Sequence, residues 1–213
     1  MSEFTPWHNE TLGRKVVEAL KKNGFEAEFF ATGAEAAEKI LELVPDNASV
    51  GFGGSWTLKA IGIAEKLAAR GNTILDHGAP GLTNDEKLSI RRQQLTCDVF
   101  LSGTNAVTMD GKLVNVDGFG NRVAAMIFGP GKVIVVLGAN KIVKDIDAAE
   151  ERIMTKAAPI NNKRLGTPNP CTQTGVCMDC QGPTRICNIT TIIRKRPRGT
   201  NFHVLLVGEE LGF

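Results

Sequence analysis

The chain has 213 residues, 42% of them apolar, with 25 Lys and Arg against 23 Asp and Glu, for a formal net charge of +2. That length carries a sizeable α/β core, and charges of both signs scattered along it exclude the dense basic stripe of a nucleic-acid binder. The opening "MSEFTPWHNETLGRKVV" lacks a basic stretch followed by a continuous apolar one, and no run approaches a membrane span, so the sequence reads as cytoplasmic, without membrane insertion.

In chain order, "NETLGRKVVEALKKNG" places Leu12, Val16, Val17 and Leu20 on one helical face, with Asn9 as the expected cap and Gly24 as the stop. "FEAEFFA" alternates as a strand, "GAEAAEKILELVP" returns to helical period, and "ASVGF" is a short strand ending in glycine. A helix across "TLKAIGIAEKLAARG", a strand at "TILD", a helix at "NDEKLSIRRQQL" and a strand at "DVFLSG" follow. "AVTMDGKLVNVDG" reads as a hairpin turning at Asp110-Gly111. After the helix-like "NRVAAMIFG" comes "KVIVVLG", apolar almost throughout, as a strand covered on both faces must be. "DIDAAEERIMTKAA" gives one more helix. From Pro159 to Gly199 periodicity is lost among Pro, Gly, Asn and Thr, and "FHVLLVGEELGF" supplies a last strand. This alternation predicts a single α/β domain over 1–213, in three layers with a mainly parallel open sheet. Residues 159–199 read as a Cys-rich insertion within it, too long for an ordinary loop and expected to be clamped by something extra.

That insertion holds four of the five cysteines, Cys171, Cys177, Cys180 and Cys187, spaced C-x5-C-x2-C-x6-C. In a reducing compartment, clustered thiols read as ligands rather than as disulfides. Structural zinc sites are typically built from two tight knuckles, and only one C-x2-C pair is present. The spacing therefore leans toward a [4Fe–4S] cluster, with zinc as the alternative and disulfides or free thiols behind them. Cys97, alone within "LTCDVF", reads as a buried core cysteine.

"SVGFGGSWTLKAIG" runs from a strand through Gly51, Gly53, Gly54 and Ser55 into a helix beginning near Thr57, the layout of an anion cradle. Trp56 takes the place of a dinucleotide fingerprint's last glycine, and no G-K-[ST] follows, so neither nucleotide motif is present. The plainer reading is a tight turn in which Ser55 caps the helix. A second dense stretch gathers Thr104, Asn105, Asn115, Asp117, Asn121 and Arg122 at predicted element ends, where open α/β sheets bind ligands. Asp117 serves there either as a turn residue or as a general base, and Asn121 as a helix cap or a ligand contact. A cation at a helix start, Arg122, calls for an anionic ligand or a carboxylate partner. His77 reads as a surface or packed residue.

"VGFGGSWTLKAIGI", the block from "SGTNAVTMDG" to "LGANKIV", and "VLLVGEELGF" resemble the LUD-domain family, which includes bacterial lactate-utilisation proteins. The resemblance implies the fold group of ribose-phosphate isomerases, glucosamine-phosphate deaminases and CoA transferases, in which a glycine-rich loop holds a phosphate or other anion. Gly51, Gly53, Gly54, Ser55 and Thr57 match that loop. The transferases' glutamate nucleophile has no counterpart in "NVDGFGN". A role in lactate oxidation to pyruvate is implied, with iron–sulfur or flavin redox partner subunits and a small anionic metabolite as ligand. Two other functions compete: an isomerase or transferase on a phosphorylated or thioester metabolite, with Asp117 or Asp76 as general base and a structural zinc site, and a non-catalytic ligand-binding or assembly subunit.

Overall fold

The computed structural model describes residues 3–213. The first half comprises α1 (Thr5–Lys22), β1 (Glu26–Phe30), α2 (Gly33–Leu43), β2 (Ser49–Phe52), α3 (Trp56–Ala60), α4 (Ile63–Ala69), β3 (Thr73–Leu75) and α5 (Asn84–Gln93). After β4 (Val99–Ser102) come β5 (Ala106–Thr108), β6 (Leu113–Asp117), α6 (Asn121–Ile127), β7 (Lys132–Gly138) and β8 (Ile142–Val143). The remainder holds α7 (Ile146–Arg152), a π-helical turn at Ile153–Ala157, α8 (Ala158–Leu165), α9 (Cys171–Thr174), β9 (Ile189–Ile193) and β10 (Asn201–Val207).

Six strands form a wholly parallel open sheet in the order β1-β10-β7-β4-β2-β3. Along β7 the side chains alternate between two cores, as the two-residue strand period requires. Val133, Val135 and Leu137 pack with Val16, Val17 and Leu20 of α1. Ile134 and Val136 pack with Ile40 of α2 and with Ile63 and Leu67 of α4. These central side chains are fully buried, each contributing roughly 1.5–3 kcal/mol, and the result is the expected three layers. Thr32 and Thr83 fix the starts of α2 and α5 through capping boxes with Glu35 and Glu86.

Several local expectations are corrected. Helix α1 begins at Thr5, with Pro6 in its first turn, so Asn9 lies inside it and donates to the Gly208 carbonyl at 2.8 Å. The helix expected across "TLKAIGIAEKLAARG" is broken at Gly62, whose φ of 63° is left-handed, into α3 and α4. Gly120 rather than Asn121 is the N-cap of α6. The segment 159–199 is not patternless: it contains α8, α9 and β9. Pro159 stands in the first turn of α8, where its missing N–H costs nothing, rather than breaking the helix. The β-branched run of β9 pairs antiparallel with β6 and completes a second, four-stranded sheet, β8-β5-β6-β9. Among the described residues no helix is long and apolar enough to cross a membrane.

Strands β2 and β4 are neighbours whose chains leave in opposite directions. β2 leads to α3 and α4 in one layer, whereas β4 leads to the β5–β6 hairpin and α6 in the other. Their carboxyl ends therefore part, and a crevice opens at the switch point.

Candidate functional site

A cavity of about 680 Å³ occupies that crevice. Its floor is the chain leaving β2 (Gly53, Gly54, Ser55), the chain leaving β4 (Gly103, Thr104, Asn105) and the start of α6. Two glycines are required by close approach. A Cβ on Gly53 would stand 2.8 Å from Ser102 Oγ and 3.1 Å from the Arg122 side chain, and one on Gly103 would stand 2.6 Å from Ser55 Oγ.

Arg122 is the hub of the polar floor. It meets Asp117 Oδ1 through Nε at 2.9 Å and through Nη2 at 2.7 Å. Nη1 donates to Asn115 Oδ1 at 2.6 Å and Gly103 O at 3.3 Å, while Nη2 donates to Asn105 Oδ1 at 3.1 Å and Val116 O at 2.9 Å. The carboxylate partner demanded by a cation at a helix start is thus Asp117, whose Oδ2 also accepts the Val123 N–H at 3.1 Å and caps α6. With its donors engaged by protein oxygens and its charge offset, Arg122 holds the strand ends together more than it offers a grip to a ligand. Asp117 is engaged at both oxygens, Oδ1 by Arg122 and Oδ2 by the Val123 N–H, which leaves acceptor capacity at Oδ2.

Lys141, just after β7, lines the same cavity and carried no signal in the sequence. It is 4% exposed, and its Nζ lies 2.9 Å from Thr57 Oγ1, its hydrogen-bond partner among the described residues. The Thr57 hydroxyl in turn donates to Leu211 O at 3.2 Å. Burial, reinforced by the charges of Arg152 and Arg122, lowers the Lys141 pKa to about 7. Near neutrality the cavity therefore has an amine that exchanges its proton readily and gains from any anion placed beside it. His77 also lines the cavity, with Nδ1 3.1 Å from Gln94 Nε2, and burial followed by the Arg91 charge lowers its pKa. Gln94 ties β2 to β3 by donating to Phe52 O and Leu75 O.

Of the residues singled out from sequence, Gly53, Gly54, Ser55, Asn105, Asp117, Asn121 and Arg122 meet at this cavity. Ser55 also caps α3, accepting from Leu58 N at 3.4 Å. Thr57 stands behind Lys141. Gly51 instead lies within β2, where a Cβ would press on Cys97 and Phe100, so its role is packing. Helix α3 has only five residues, so its dipole is a weak substitute for the charge that Lys141 supplies.

A family model described as LUD domain matches residues 13–207. The chain belongs to the LUD-domain family. Its fold is similar to that of a DUF162 family protein from Deinococcus radiodurans, with a TM-score of 0.55 and 14% identity over 93% of this chain and 98% of the other. A D-ribose-5-phosphate isomerase in complex with phospho-erythronic acid aligns with a TM-score of 0.36 and 17% identity, over 63% of this chain and 64% of the other. No curated protein matches the sequence.

In this LUD domain the four clustered cysteines, all free thiols, line one small cavity of about 10 Å³. Cys171 opens α9, and the Cys177 N–H donates at 2.8 Å to Met154 O, a carbonyl of the π-helical turn. Arg185 braces the loop by donating to Cys180 O at 2.7 Å and Cys187 O at 3.1 Å. A buried amide pair frames it: Asn169 Nδ2 donates to Asn162 Oδ1 at 2.6 Å and Thr184 O at 2.9 Å, and Thr184 Oγ1 donates back to Asn169 Oδ1 at 2.7 Å. As the side chains stand, no three His, Cys, Asp or Glu groups among the described residues are close enough to hold a metal ion. Burial first, and then the charge of Cys177, pushes the Cys187 thiol up to about 11. Burial and then Cys180 raise Cys171. Cys97 is 4% exposed and pushed up to about 11 by burial, the inert core thiol expected.

Proposed function

We propose that the protein is a redox-associated LUD-domain protein whose large cavity binds a small anionic metabolite and whose four cysteines hold a metal centre beside it. The observation that carries this reading is a shared wall: Ala158, Arg185, Ile186 and Cys187 border both the large cavity and the cysteine cavity. A centre held there would stand next to the bound metabolite, with protein rather than bulk water between them.

The donor set suits such a centre in its chemistry, and binding would draw the four thiols closer than they now stand. Four free thiols face one space, and those whose pKa is raised are raised by burial and by one another's negative charge, an opposition that a bound cation reverses. Cys171, Cys177, Cys180 and Cys187 would be the ligands, and a [4Fe–4S] cluster bound to them would supply one-electron transfer to a partner subunit. The chain's own groups perform the rest. Lys141 attracts the metabolite's negative group and holds or releases a proton at Nζ. Arg122, fixed by Asp117, Asn105 and Asn115, keeps the cavity floor rigid. Lactate and pyruvate are the metabolites to which the family resemblance points.

A second reading rests on the size of the cysteine cavity. At about 10 Å³ it admits one water-sized body, so a single zinc ion enters with less displacement than a four-iron cluster. The centre would then be structural, leaving the large cavity to an isomerase or transferase reaction. Anaerobic purification followed by iron, acid-labile sulfide and zinc analysis separates the two. About four iron and four sulfide per chain is expected for the redox reading. Stoichiometric zinc with neither iron nor sulfide would overturn it.

A further inference from the structure

We infer that the large cavity takes a phosphate-bearing ligand with a planar ring, of the nucleotide or flavin class, rather than a bare three-carbon acid. This rests on the anion-binding half of the proposed function and is independent of what the cysteines hold. Three features of the cavity lead to it.

The first is size. Cavities of about 300–1,000 Å³ enclose drug-sized ligands, and one of about 680 Å³ would leave a three-carbon acid mostly surrounded by water.

The second is charge. Arg91, Arg122, Lys141, Arg164 and Arg185 line the cavity against a single acidic side chain, Asp117. Arg122 is neutralised by Asp117 and Arg185 by Asp179. Arg91, Lys141 and Arg164 have no carboxylate within ion-pair distance among the described residues. Arg91 Nε is moreover buried without a hydrogen-bond partner. Two unbalanced guanidinium cations, with a lysine beside them that an anion would keep protonated, suit a phosphate or diphosphate better than one carboxylate, and a buried unpaired donor gains most from a ligand oxygen.

The third is the arrangement of rings. Trp56 is 40% and Phe119 74% exposed, yet both line the cavity together with Phe213. Trp56 and Phe213 stack with centroids 6.4 Å apart and planes 30° from parallel, and the Arg164 guanidinium lies 5.7 Å from the Trp56 ring and 6.0 Å from that of Phe213. Arg91 lies 4.2 Å over Phe119. Large aromatics left open to solvent beside flat guanidinium groups form surfaces on which a planar ring stacks. A small hydroxy acid has no use for them.

The test measures binding of FMN, ADP, ribose 5-phosphate, inorganic phosphate and pyruvate to the intact protein by calorimetry. FMN or ADP is expected to bind at least about tenfold more tightly than ribose 5-phosphate or phosphate, and which of the two is tighter tells flavin from adenine nucleotide. Trp56→Ala, or Phe119→Ala at a position too exposed to threaten folding, should remove that advantage while leaving phosphate affinity within about twofold. If ribose 5-phosphate, phosphate or pyruvate binds as tightly as both ring compounds, the inference falls and the anion reading stands. If none of the five binds, both fall.

Discussion

Replacing Lys141 by Met sets two consequences of burial against each other. The lysine pKa is lowered from 10.5 to about 7 on folding. Between those values the unfolded chain carries a proton that the folded chain does not, so stability rises with pH across that window, by up to about 1.4 kcal/mol per pH unit, and this contribution is lost as pH falls to about 7. At pH 7 the buried amine thus costs the fold up to about 4–5 kcal/mol relative to a side chain that needs no proton. Methionine is close in length, and what it gives up is the 2.9 Å hydrogen bond to Thr57, about 0.5–1.5 kcal/mol. Desolvation is the larger effect. Lys141→Met is therefore expected to be more stable than the parent at pH 7 by about 1–4 kcal/mol, to lose the pH slope between 7 and 9, and to bind phosphate or pyruvate at least about tenfold more weakly. An anion beside Nζ raises the lysine pKa, so in the parent binding takes up a proton above pH 7, and affinity should fall by up to about tenfold per pH unit there. Urea unfolding from pH 6 to 9, paired with calorimetry in buffers of different ionisation heat, reads both. A variant less stable than the parent at pH 7, or one that keeps its anion affinity and pH slope, would refute the account of Lys141.

Gly53→Ala brings a methyl group to 2.8 Å from Ser102 Oγ and 3.1 Å from Arg122; a loss of about 1–3 kcal/mol in urea unfolding is expected, with weaker anion binding as Arg122 is displaced. Asn169→Ala removes the buried amide that joins Asn162 to Thr184; hydrogen exchange should speed up within 159–199 by the equivalent of about 1–3 kcal/mol while the parallel sheet stays protected, and uniform speeding would contradict local framing. Cys180→Ser breaks the tight C-x2-C pair, and its expected result is loss of bound metal with fast proteolysis inside 159–199; full metal content and unchanged protection would show that the four thiols do not share a centre.

The parallel sheet was legible because its central strands are buried on both faces and therefore read as apolar runs, "KVIVVLG" most plainly. Of the second sheet only the β5–β6 hairpin was legible, through its Asp110-Gly111 turn. β9 is half exposed, a short run of Ile and Thr among turn residues, and it becomes a strand only because β6 offers it an edge. Helix α8 was hidden because apolar periodicity fades from Pro159 onward, whereas the π-helical turn before it delivers that proline to the first turn of a helix. For β9 the deciding partner lies outside the local window, whereas for α8 it is the unusual turn immediately before it.

The site divides along the same line. Arg122 announced itself through a local conflict, a cation at a helix start, and the conflict is resolved five residues back by Asp117. Lys141 sits in "GANKIV" with no local conflict at all. Its surroundings are distant in sequence: its partner Thr57 is 84 residues away, and the burial that lowers its pKa, reinforced by the charges of Arg152 and Arg122, comes from other elements. Trp56 shows the reverse case. In sequence it counts against the site because it occupies the place of a glycine, whereas in the fold it lines the cavity as a ring that a glycine would not provide. A departure from the dinucleotide fingerprint therefore carries information of its own: a glycine that would serve close helix–strand packing is replaced by a side chain that lines the cavity.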